Sequence, residues 1–265
     1  VPRSVAALAL LLGLIGCAPA HAPDFAEKPF EPFNREDTVA IAMREWRLFG
    51  APVDDAAPDT RPNPPAEQKP ERWPGLWQRV GEYWWIGQDP GTPEAAWTGK
   101  HDQTGRVFPY LEDGEYAWSA AFISYVMRIA GAGPRFPYSP NHSTYVNAAA
   151  AHRSPILRAW PPEAYAPKPG DLICRARLWA RKLRLSDLPT GDFWPGHCAM
   201  VVEVNPEMLS TIGGNVDDAV TMVHVPVTSG GMLATSDGAI LDTRYRWFVV
   251  IEVLYDTEAE PETDK

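Results

Sequence analysis

The strongest constraint on this chain is a change in hydrophobic period along its length. Up to residue 151 the apolar residues recur at helical spacing, and after residue 165 they fall into short β-rich runs. The clearest helical segment is 116–131, where Trp118, Phe122, Tyr125 and Ile129 recur on one side and Ala121, Val126 and Ala130 widen it. Gly131 and Gly133 end that segment. Two earlier segments have the same character. REDTVAIAMREWRLFG (35–50) places Val39, Ala42, Met43, Trp46 and Phe49 on one stripe, and GLWQRVGEYWWIG (75–87) does so with Leu76, Val80, Tyr83 and Trp84. A further helical patch covers 141–151. The runs KPGDLICRA, GHCAMVVEV, MLSTIGGN, AVTMVHVPV and YRWFVVIEVLY then read as strands bounded by Gly, Pro or Asn. Helices followed by five to six mostly antiparallel strands predict an α+β fold.

Length and composition fit one domain over 35–255: 265 residues, 45% of them apolar, are enough for one substantial core. The 28 prolines are not spread evenly, and a cluster at 51–74 predicts an exposed irregular loop between two helices. Residues 18–34 read as a Pro-rich tether, and the acidic end, 256–265, as a disordered tail. A formal net charge of −10 argues against non-specific nucleic-acid binding.

The first residues, VPRSVAALALLLGLIGCAPA, join a short basic flank at Arg3 to an apolar run from Val5 to Ile15. That run is too short to span a bilayer and suits a signal-peptide core. It ends in Leu14-Ile15-Gly16-Cys17, which resembles a bacterial lipobox. The resemblance implies a signal peptide over 1–17, lipidation of Cys17 and a membrane partner through that anchor. With Ala18 rather than Asp after the cysteine, it implies an outer-membrane lipoprotein facing the periplasm. An ordinary secretory signal with a chance cysteine is the alternative.

The chemistry-bearing residues come next. A nucleophile needs a base, a group to orient that base and donors for an oxyanion. Ser119 stands in the first turn of the clearest helix, where free amide hydrogens and the helix dipole favour developing negative charge. His197 opens the strand GHCAMVVEV, on the face shared with Ala199, Val201 and Glu203. Asn215 follows Gly213-Gly214 and is the candidate to orient the imidazole, or else a turn residue. His142, in YSPNHSTY, either lines the same cleft or caps the helix that begins there. Tyr116 and Trp118, beside the nucleophile position, join His142 as candidate substrate contacts. The basic run RARLWARKLR (175–184) is a solvated insertion with Trp179 packed inward, or a contact for anionic polymer or lipid. There is no HExxH or CxxC, so neither a metal nor a cofactor is expected.

AWSAAFISYVMR, KPGDLIC, GHCAMVVEV and TIGGNV, in that order, resemble the NlpC/p60 and CHAP group of papain-like cell-wall hydrolases. The segment from Glu36 to Tyr255 is more similar still to the bacterial domain family DUF2272. It shares the E-W-x-x-F-G helix (Glu45, Trp46, Phe49, Gly50), the E-Y-W triplet (Glu82, Tyr83, Trp84), the W-S-A-A-F-I-S core and the run at 138–145. The resemblance implies a papain-like domain and hydrolysis of an amide in the peptidoglycan stem peptide. Ser119 would attack, His197 would serve as base and Asn215 would orient it. The departure is Ser119 itself, which occupies the position of a family cysteine. A non-catalytic wall-binding or scaffold protein is the rival reading. In such a fold Cys174 and Cys198 lie on neighbouring strands, as a disulfide or as two buried thiols.

Overall fold

The computed structural model describes residues 32–89, 106, 109–112 and 116–256. The expected signal peptide, Cys17, nearly all of the tether and nearly all of the tail lie outside the described residues. Four helices precede a six-stranded sheet: α1 (Arg35–Leu48), α2 (Leu76–Ile86), α3 (Ser119–Ile129) and α4 (His142–Ala150), then β1 (Leu157–Trp160), β2 (Leu172–Ala176), β3 (Gly196–Val204), β4 (Met208–Val216), β5 (Ala219–Pro226) and β6 (Trp247–Val253). The sheet is antiparallel throughout, in the order β1-β6-β2-β3-β4-β5. This is an α+β fold.

Helix α1 begins where Asn34 accepts the amide hydrogen of Asp37 at 2.8 Å, a side-chain cap for a helix with two acids in its first turn. Its stripe faces the core, but so does a charge. Glu45 is fully buried and satisfied by Arg79 (2.7 and 3.1 Å) and Tyr83 (2.7 Å) of α2, with Tyr125 of α3 at 3.3 Å. A carboxylate stripped of water survives only when its oxygens are paired in this way. The network therefore ties three helices at one point.

Period-two alternation holds along β3. Cys198, Met200 and Val202 pack into the cluster shared with the helices, while Ala199 and Val201 join a second cluster with Leu209, Val223, Leu233 and Trp247. Cys174 and Cys198 sit directly opposite each other in the β2–β3 register and are joined by a disulfide. At the far end of β4, Val216 pairs with Ala219 across Asp217 and Asp218, whose φ values of 51° and 57° make the tight two-residue turn that suits a twisted hairpin.

The proline-rich segment differs from the exposed loop expected of it. It forms three short 3-10 turns (Pro58–Thr60, Ala66–Gln68 and Pro70–Arg72), and Glu71 and Arg72 are buried. Glu71 accepts the indole N–H of Trp118 at 2.6 Å, and its own amide donates to the carbonyl of Asp218 at 2.9 Å. Proline removes regular hydrogen bonding without preventing a segment from packing. The segment 175–184 also departs from expectation, since Trp179 is 72% exposed rather than packed inward.

Burial raises the Glu71 carboxyl to about 7, with the Trp118 hydrogen bond opposing. A carboxyl raised on folding binds its proton more tightly in the native state. Its stabilising contribution is therefore complete at low pH and declines as pH rises from the unfolded value, 4.5, towards 7. Glu71→Gln, which keeps an acceptor, should gain stability relative to wild type as pH rises from about 5 to about 8. Glu71→Ala should cost about 1–3 kcal/mol at pH 5 by orphaning the indole N–H, a deficit that shrinks towards pH 8 as wild type loses the contribution of the protonated carboxyl. Urea denaturation at the two pH values checks both.

Candidate functional site

The site forms where the N-terminal ends of α3 and α4 meet the start of β3. Two close approaches position α3. A Cβ on Gly214 would lie 2.6 Å from Phe122 Cβ and 2.8 Å from Trp118 Cζ3, and one on Gly87 would lie 2.5 Å from the carbonyl oxygen of Ala121. Only glycine allows β4 and the end of α2 to come this near to the helix. The first turn of α3 is thus gripped from two sides, with Ser119 as its first helical residue and Trp118 just before it.

Helix α4 is fixed to α3 by a second device. The carbonyl of Ser139 accepts from Ser124 Oγ at 3.1 Å, and the same hydroxyl accepts the Ser139 amide at 3.2 Å. Ser139 Oγ in turn accepts the amide of Asn141 at 3.0 Å and pairs with Thr144 Oγ1 at 2.8 Å. These bonds order the entry to α4, for which Asn141 provides no side-chain cap. His142, the first residue of α4, is left free to turn inward.

It turns to the nucleophile position. His142 Nε2 lies 2.6 Å from Ser119 Oγ, and its Nδ1 is hydrogen-bonded to the hydroxyl of Tyr145, one turn along the same helix. The His197 ring meets the His142 ring edge to face, with centroids 5.5 Å apart. Ser119, His142 and His197 are 6%, 4% and 4% exposed, so the cluster is almost closed to water. Burial comes first in lowering both imidazoles. His142 is brought down to about 3, with Arg177 and Arg175 adding repulsion, and His197 falls well below its ordinary value, with Arg175, His142, Arg177 and Arg61 contributing. Both rings are neutral at physiological pH. Burial also raises Tyr145 well above 10, so it remains a phenol.

The structure reassigns several expected roles. His142 is hydrogen-bonded to Ser119 and does not cap its helix; the imidazole that meets the serine is 23 positions away in sequence, not the His197 expected far downstream. His197 makes no side-chain hydrogen bond to the described residues. Its ring lies over β4, where a Cβ on Gly213 would meet Nε2 at 2.8 Å. Gly213 thus makes room for the imidazole. Asn215 is not bonded to that ring. It occupies a left-handed bulge position (φ 55°) where the β4–β5 register shifts, and it lines a cavity together with His197. Trp118 is fully buried with its N–H committed to Glu71, so it cannot contact substrate. Tyr116 is half-buried against the helical core. Tyr145 and Glu71 are residues of the site region to which the sequence reading gave no role, and Arg175 entered only as the first residue of the basic run 175–184. The spacing of His142 and Tyr145, three apart on a helix, was the available signal for the first. No group of three or more potential metal ligands occurs among the described residues.

A family model for "Uncharacterized protein conserved in bacteria (DUF2272)" matches residues 71–253, well over half of the chain. The chain belongs to the DUF2272 family. No curated protein and no solved structure matches it. The DUF2272 match takes in α2, α3, α4 and the whole sheet, and so contains Ser119, His142, Tyr145 and His197.

The neutral His142 in this DUF2272 site has a measurable consequence. Its pKa is depressed on folding, so the unfolded chain takes up the proton first and stability declines as pH falls below about 6.5. His142→Gln lacks this liability. Its deficit relative to wild type should shrink by up to about 2 kcal/mol between pH 6.5 and 5, as read by chemical denaturation at both values.

Proposed function

We propose that this DUF2272 protein is an envelope lipoprotein that hydrolyses an amide bond in the peptidoglycan stem peptide. Ser119 is the nucleophile and His142 the base. The observation that carries this reading is the 2.6 Å contact between Ser119 Oγ and His142 Nε2 at the tip of α3. The position of Ser119 at the tip of a helix that resembles the nucleophile-bearing helix of the NlpC/p60 and CHAP hydrolases supports it. So does the lipobox-like Leu14-Ile15-Gly16-Cys17.

In the productive tautomer the proton sits on Nδ1 and is donated to the Tyr145 hydroxyl, leaving Nε2 free to accept. Ser119 Oγ attacks the carbonyl carbon while its proton passes to Nε2. The carbonyl electrons move to oxygen, and donors at the helix tip lie close by. The first intrahelical bond there is Phe122 N–H to the Trp118 carbonyl at 2.9 Å, so the amides of residues 119–121 come before the intrahelical ladder begins. Collapse of the adduct breaks the C–N bond, and the imidazolium returns its proton to the leaving amine. Water then attacks the acyl-serine with the same base and restores Ser119. Tyr145 is a positioning residue: it fixes the ring and the tautomer.

The burial of Ser119 and the weak basicity of His142 favour a second reading, in which the same cleft binds wall fragments without cutting them. Digestion of purified muropeptides separates the two. Hydrolysis predicts new amine and carboxyl ends with wild type and a loss of about 10³-fold or more in Ser119→Ala and in His142→Ala, with the double variant no worse. Asn215→Ala should change the rate by less than about threefold. Sacculus binding that is equal in wild type and Ser119→Ala, with no new ends and none in Ser119→Cys, would establish the binding reading instead. The anchor is checked by fractionating cells that express the full chain, where Cys17→Ala should move the protein from the membrane pellet to the soluble fraction.

A further inference from the structure

A cavity of about 570 Å³ opens beside the catalytic cluster, with His197 and Asn215 in its wall. Its other lining residues carry unusual charge for a chain of net charge −10: seven cationic side chains face it. Four of these are already engaged. Arg61 pairs with Asp54 (2.6 Å) and Asp217 (3.4 Å), Lys69 with Asp218 (3.2 Å) and Arg244 with Asp242 (3.0 Å), while Arg246 donates to the carbonyl of Leu183 at 2.7 Å. The other three, Arg175, Arg177 and Arg181, have no carboxylate partner among the described residues.

Arg175 is the least expected of them. It lies in the interior of β2, directly opposite His197 in the register with β3. Its Nε is sealed from solvent and makes no hydrogen bond, and its guanidinium carbon lies over the Tyr245 ring, 4.1 Å from the centroid. A half-buried cation with no carboxylate partner, next to further cations, is costly, and folded proteins ordinarily pair it. Desolvation, with repulsion from Arg177, brings Arg175 down to about 10, so it still carries its charge at neutral pH. A planar fork fixed by stacking and turned to a cavity is suited to two parallel hydrogen bonds with a carboxylate.

We propose that this cavity is the subsite for a free carboxylate of the substrate peptide, held between Arg175, Arg177 and Arg181 one strand away from His197. This rests on the hydrolase reading for the identity of the ligand, and it adds what that reading lacks, a reason for selecting peptides with acidic residues. It also links binding to chemistry. Arg175 and Arg177 are two of the charges that repel a proton from both imidazoles, so an anion seated on them removes that repulsion and makes His142 a better base when substrate is present.

The test is calorimetric titration at pH 7 and low salt, using the Ser119→Ala protein so that turnover plays no part. Three probes are compared: N-acetyl-D-glutamate, its diamide and inorganic phosphate. The carboxylate compound should bind, the diamide should bind at least about tenfold more weakly, and phosphate should not exceed the carboxylate. Arg175→Gln should lose about tenfold or more of the affinity. Arg177→Gln, an exposed position whose change does not disturb the sheet, should lose about threefold or more and keeps the test valid should Arg175→Gln fail to fold. Equal binding of acid and diamide, tighter binding of phosphate, or unchanged affinity in folded Arg177→Gln overturns the proposal. Binding of this kind without any muropeptide cleavage by wild type would remove the hydrolase reading and leave the anion subsite standing.

Discussion

Everything at the site depends on how closely α3 approaches its neighbours. Gly214 of β4 and Gly87 at the end of α2 leave no space for a methyl group against the first turn of the helix. The hydrophobic face of α3 supplies the attraction, and the two glycines set how far it can act. Trp118 is sealed into this contact, and its N–H is held by Glu71 from the proline-rich segment. Ser119 is the next residue along. Its placement is therefore set by core packing and by one buried hydrogen bond, not by its own side chain. The bond between Ser119 and His142 then follows from the Ser124–Ser139 contact that holds the entry of α4 against α3.

The electrostatics of the region have one theme. Where three helices meet, the buried carboxylate is paired: Glu45 is satisfied by Arg79 and Tyr83. Around the two imidazoles the balance is reversed, with arginines outnumbering acids and the rings driven to neutrality by burial. A neutral imidazole is the correct form of a general base, yet one with little appetite for a proton is a poor one. An anionic ligand on the unpaired arginines would ease that tension in part, since burial is the larger cause.

Much of the architecture could be read from residue order. Strand β3 has the bounds expected of it because its alternation separates two apolar clusters. Helix α3 showed its apolar face, although residues 116–118 stay outside the helix and Ile129, expected on that face, is 46% exposed. Strand β1 could not be read: its four residues, LRAW, lie between prolines and are ordered by pairing with β6, nearly a hundred residues later. Proline content at 51–74 excluded regular structure but carried no information on packing, which depends on the meeting of Glu71 with Trp118. The nucleophile position was legible as a small polar residue at a helix tip. Its partner was not, because a histidine opening a strand looks more like a base than one opening a helix. Only the tertiary contact between α3 and α4 decides between His197 and His142. Arg175 offered a local clue, a charge between Cys174 and Ala176 in an apolar strand, but its significance depends on its register with His197.

The central claim is that Ser119 is an alcohol activated by His142. Reaction with a fluorophosphonate, followed by peptide mass spectrometry, tests it without requiring the natural substrate. The account predicts a covalent adduct on Ser119 in the wild-type protein, lost in His142→Gln while the fold is retained. An unmodified Ser119 under conditions that label a control serine hydrolase, or equal labelling with and without His142, would contradict it.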